Sequence, residues 1–135
     1  MNKIPHIYIA GPYAAPTTHE IVRNINIAWL WGTRVAECGA YPVTPHANTA
    51  LMHDIQTPGF WYRATIESML RCDAVFLTPG WLRSPGSCNE ADAAVDAGIP
   101  CMQNIVEVAE WVRKWYTDHG LPDFVIVSGV PDVSE

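Results

Sequence analysis

Apolar positions recur along this chain in two alternating patterns. Ile7-Tyr8-Ile9-Ala10 is a continuous apolar run that ends at Gly11-Pro12, as a buried strand ends in a turn. Residues 20–38 then place Ile21, Ile25, Ala28, Trp29, Gly32, Val35 and Ala36 at helical spacing and stop at Gly39. A brief strand over 40–43 leads into a long loop, 44–58, punctuated by Pro45, Asn48 and Pro58. Loops of that length in compact domains are often functional. Helical spacing returns over 60–71, with Ile66, Met69 and Leu70 on one side, and residues 73–78 read as a second buried strand. The Pro/Gly/Ser-rich stretch 79–87 reads as a loop and 89–97 as a helix ending at Gly98. A strand over 100–103, a helix over 105–119 closed by Gly120 and Pro122, and a last strand over 124–127 complete the pattern.

Five strands alternating with helices predict an α/β fold, a five-stranded parallel sheet covered on both faces. Right-handed crossovers make it a Rossmann-like or flavodoxin-like three-layer sandwich. Ligands of such sheets bind outside the carboxyl ends of the strands, where the strand order reverses. The loops 11–18 and 79–87 are expected there. Tyr8, Gly11, Asp73, Ser84, Gly86 and Glu90 are therefore expected to meet in one crevice.

Composition narrows the function classes. The 135 residues are expected to form one domain, 1–135, and 49% hydrophobic with 16% charged residues is ordinary for a globular chain. No apolar run approaches the roughly 20 residues of a membrane span. The first six residues lack the apolar core of a secretion signal, so a cytoplasmic protein is expected. A net charge of −6 without a Lys/Arg cluster argues against a nucleic-acid polymer as partner, although a few N–H groups can still hold one phosphate. Cys38, Cys72, Cys88 and Cys101 form no Cys-x-x-Cys pair and read as reduced thiols. No Ser/Thr-rich phosphate loop follows the first strand, which disfavours flavodoxin-like electron transfer, and no cofactor is expected.

The candidate chemistry centres on Glu90. Ser87-Cys88-Asn89-Glu90 fits a capping box, in which Ser87 caps the helix and Glu90 reaches back to the Ser87 N–H. The other reading puts the Glu90 carboxylate in the first turn, kept ionised by the helix N-terminus and able to attack an anomeric carbon. Asp73 either caps a turn or bonds a base or sugar hydroxyl. The Tyr8 phenol can orient Glu90. Ser84-Pro85-Gly86-Ser87 precedes a helix N-terminus and is either a surface turn or a donor set for an anion, with Arg83 adding charge. His46, His53 and Asp54 match no familiar metal-ligand spacing, and no metal site is expected. The six Trp residues read mostly as core, with Trp61 and Trp81 flanking the crevice.

Several of these pieces resemble the nucleoside 2-deoxyribosyltransferase-like superfamily. They are Ile7-Tyr8-Ile9-Ala10-Gly11-Pro12-Tyr13, Arg23-Asn24-Ile25 with Ala28, Gly39, and Pro45-His46. Further along come Cys72-Asp73-Ala74-Val75, Pro79-Gly80-Trp81, Ser84-Pro85-Gly86, Glu90 and Gly98-Ile99-Pro100, so that the likeness covers about residues 4–103. It implies a Rossmann-like fold, a Glu nucleophile at Glu90, a Tyr contacting it at Tyr8 and an Asp serving the leaving base at Asp73. It also implies substrate-binding roles for Gly11, Pro12, Asn24 and His46. Classical members carry an Asp six residues before the nucleophile; here Ser84 stands there, with Gly86 four before Glu90. That pattern resembles the nucleoside 5′-monophosphate N-glycosidase branch, where Ser and Gly hold the phosphate. The expected function is hydrolysis of a (deoxy)nucleoside 5′-monophosphate through a glycosyl-Glu intermediate. The alternatives are transfer to a second base, or a module that binds a nucleotide or NAD-derived ligand without chemistry. A homodimer or larger homo-oligomer is expected, with Phe60-Trp61-Tyr62 and residues 127–133 as interface candidates.

Overall fold

Strand β1, His6–Ala10, lies inside a sheet because every residue after His6 in it is buried. A computed structural model describes residues 3–127 of the protein. The elements run β1, α1 (Thr18–Glu37), β2 (Tyr41–Val43), α2 (Pro45–Asn48), α3 (Pro58–Leu70), β3 (Ala74–Leu77), a 3-10 turn (Trp81–Arg83), α4 (Pro85–Asp96), β4 (Cys101–Met102) and α5 (Ile105–His119). All strand pairs are parallel, in the order β2-β1-β3-β4, with Tyr8 opposite Val43 on one side and Val75 on the other.

The strand alternation sorts side chains to two faces. Ile7, Ile9 and Phe76 pack with Val35 of α1 and Val108, Val112 and Tyr116 of α5. Tyr8, Ala10, Val75 and Leu77 pack with Met69 of α3 and Ala91 and Ala94 of α4. Helices therefore cover both faces of an α/β sheet, consistent with a Rossmann-like arrangement. Among the described residues no helix is long and apolar enough to cross a membrane.

Among the described residues the sheet has four strands, not five. Residues 124–127 make no ladder: Phe124 and Ile126 are 75% and 77% exposed, and Val125 and Val127 lie against the α1–α5 core. The Val127 methyl approaches Gly39, whose carbonyl accepts the Tyr116 hydroxyl at 2.6 Å. This apolar segment thus seals the turn after α1 and leaves β4 at the sheet edge. The 44–58 loop contains the short helix α2, and Trp29, on the flank of the α1 stripe, is 58% exposed. Most of the proposed interface segment, residues 128–133, lies outside the described residues.

Candidate active site

Strands β1 and β3 are the sheet's central pair, and a cleft of about 910 Å³ opens beyond their carboxyl ends. Its walls come from the loop after β1, the 45–54 segment, the first two turns of α3 and the start of α4. Tyr8, Gly11, Pro12, His46, Ser84, Gly86 and Glu90 all line it. That is the crevice expected from the sequence, without Asp73 and Asn24.

Helix α4 starts earlier than its apolar spacing implies. Ser84 is its N-cap, the side chain accepting the Ser87 N–H at 3.2 Å, and Pro85 takes the first helical position, where a missing N–H costs nothing. The expected capping box does not form. Glu90 falls in the second turn, beyond the strongest field of the helix terminus, and accepts a hydrogen bond from the Tyr8 phenol through Oε2. Burial raises the Glu90 pKa to about 7, against the opposing effect of the Tyr8 bond. The carboxylate is thus poised between its two forms near neutral pH, not held ionised as expected. Burial, then the Glu90 charge, push the Tyr8 pKa upward, so the phenol stays protonated and donates. The Thr65 side chain also bonds Tyr8 and works the other way.

The loop after β1 is pinned from two sides. His46 is buried, and its Nε2 lies 2.8 Å from the Gly11 carbonyl and 3.1 Å from that of Pro12. Two carbonyl partners require the proton on Nε2, and burial keeps the ring's pKa below its usual value. Asn24 donates to the Tyr13 carbonyl at 3.1 Å. Both expected substrate ligands therefore hold backbone, and Asn24 is not in the cleft wall. Gly11 is required by packing, since a Cβ there would collide with the Thr78 hydroxyl.

Asp73 is at the opposite end of the sheet. It precedes β3, so its carboxylate meets the start of β1, accepting from the His6 N–H at 2.9 Å and the Lys3 ammonium at 2.8 Å. It cannot serve a base in the cleft. Trp61 and Arg83 do line the cleft, whereas Trp81 packs into the core beneath α4.

Tyr13 and Thr65 carried no site role in the sequence, yet both line the cleft, as does Ser87, which was expected as the helix cap or in the anion loop. Ser87 is buried and its hydroxyl has no partner. The helical spacing of Thr65 from Trp61 is the signal that points to Thr65. Among the described residues no three His, Cys, Asp or Glu side chains gather to hold a metal ion. No family model matches the chain, and no curated protein or solved structure matches it significantly.

Proposed function

We propose that this protein is an N-glycosidase that splits a nucleoside 5′-monophosphate into free base and sugar phosphate, on a Rossmann-like deoxyribosyltransferase-type scaffold. One observation carries the reading: a desolvated carboxylate, Glu90, held by the Tyr8 phenol on the wall of a nucleotide-sized cleft. An anomeric carbon that gains positive charge as its base departs is a fitting target for such a carboxylate. Ionised Glu90 bonds to C1′, the base leaves with the electron pair of the C1′–N bond, and water then attacks C1′ and frees Glu90. Tyr8 fixes the carboxylate oxygen that does not attack.

The phosphate is assigned to the start of α4. The Ser84 hydroxyl accepts the Ser87 N–H and still has its own proton to donate, and the Gly86 N–H is among the terminal donors without an intrahelical partner. A Cβ on Gly86 would meet nothing nearer than the Ser84 hydroxyl at 3.9 Å, so the approach to this terminus is open. Arg83 on the cleft wall adds a positive charge.

Incubation with a panel of nucleosides and their 5′-monophosphates, followed by chromatography for free base, tests the reading. Release from monophosphates in preference to nucleosides is the expected result. Binding without any base release would favour a non-catalytic nucleotide module, and equal rates on both substrate forms would refute the phosphate assignment. A cytoplasmic homo-oligomer fits the same reading, with Phe60 and Tyr62, 47% and 52% exposed on α3, as contact residues. Light scattering is expected to give at least a dimer mass, and a monodisperse monomer would contradict it.

A further inference from the structure

A departing purine takes the glycosidic electron pair with it, and the bond breaks readily when a proton reaches one of its ring nitrogens. With Asp73 at the far end of the sheet, the glycosidase reading lacks its donor. The cleft wall supplies few alternatives. Tyr8 is engaged by Glu90, and His46 by the carbonyls of Gly11 and Pro12. Arg83 does not give up its proton, and a phenol is too weak an acid for the task at neutral pH.

His53 and Asp54 remain on the cleft wall; the Asp54 side chain stands 96% exposed, whereas the setting of His53 is built. His53 comes from the 44–58 loop, and its carbonyl accepts the Trp61 indole N–H at 3.1 Å. Trp61 stands one turn outward along α3 from Thr65, about 6 Å further from the Tyr8 and Glu90 level. The Tyr13 hydroxyl lies 3.1 Å from His53 Nδ1 and accepts the Leu51 N–H at 3.1 Å, which ties both rings to the loop backbone. The other ring nitrogen, Nε2, is 3.7 Å from the Asp54 carboxylate, with the side chain 37% exposed. With Nδ1 protonated, the ring donates to the Tyr13 oxygen and leaves Nε2 to face the cleft side of the loop.

Resting on the glycosidase reading, we infer that His53 is the general acid of the cleft, giving its Nε2 proton to a purine ring nitrogen as Glu90 takes C1′. The proton moves from the imidazolium to the base, the C1′–N bond breaks toward the base, and the Glu90 oxygen closes on C1′. Neutral His53 keeps its remaining proton on Nδ1 against Tyr13 and is reprotonated from solvent. The level of His53 selects the base class. The proton-accepting oxygen of a pyrimidine lies beside the glycosidic bond, near Glu90. The N7 of a purine lies on the outer edge of the base, where a donor held above Trp61 can reach it.

The test compares wild-type protein and His53→Ala on a purine nucleoside 5′-monophosphate and on its N7-methyl derivative. The methylated base already carries the positive charge and leaves without a proton. The substitution is expected to lower kcat/KM on the ordinary nucleotide by about 100- to 10,000-fold and on the methylated one by less than about threefold. Equal losses on both substrates would mean that His53 only supports the loop, and equal retention would mean that it does nothing; either overturns the inference. Failure of the wild-type protein to release base from either purine nucleotide would instead overturn the glycosidase reading beneath it.

Discussion

Glu90 carries a cost in the folded protein that it does not carry in the unfolded chain. Its pKa rises from the ordinary 4.5 to about 7 because burial disfavours the charged form. The folded state therefore binds a proton more tightly than the unfolded one. Stability from this group is fully present below about pH 4.5 and is lost as the pH rises through about 7. Glu90→Gln removes the ionisation while keeping the shape. We expect the variant to gain stability over wild type between pH 5 and pH 8, by at most about 3 kcal/mol, in denaturant titrations at the two pH values. A difference that does not change with pH would contradict the buried environment. Asp73 tests the opposite end. Asp73→Ala is expected to cost about 1–2 kcal/mol through the lost His6 N–H bond while base release continues at the wild-type rate. The pairing of Tyr8 with Glu90 was expected from the sequence, but the His6 and Lys3 partners of Asp73 were not. Tyr8 and Glu90 are 82 positions apart, and only the packing of α4 on β1 joins them.

At the level of elements, the start of α4 carries the substrate assignment. Aspartate and serine are comparable N-caps, so Ser84→Asp leaves α4 capped and isolates the effect of charge. We expect this variant to keep its melting temperature, to lose most turnover of the monophosphate through repulsion, and to retain or gain any weak turnover of the nucleoside. Loss on both substrates alike would show that Ser84 is not the phosphate ligand. The helices with clear caps were legible: α5 begins after Asn104, which accepts the Glu107 N–H at 2.9 Å, and ends at Gly120. The start of α4 was not, because Ser84-Pro85-Gly86 punctuates a loop as readily as it opens a helix. Residues 124–127 show the limit of apolar runs, since periodicity does not tell a strand from a segment lying flat on a core.

Across the whole molecule, the order β2-β1-β3-β4 puts β1 and β3 at the point where successive crossovers diverge. The cleft follows from that topology, because the turns leaving the two central strands separate there. This much could be read from alternating elements. The end of the sheet to which each residue belongs also follows from chain direction: in a parallel sheet a residue before a strand, such as Asp73, lies at the amino end, away from the site. What alternation does not reveal is how the 44–58 loop closes over the cleft, since Tyr13 and His53 meet only through folding. The central claim is that Glu90 is the nucleophile, and the rate of base release by Glu90→Ala tests it most directly. Loss of nearly all turnover, with the melting temperature at or above that of wild type at pH 8, is the expected result. Turnover persisting at the wild-type rate would contradict it.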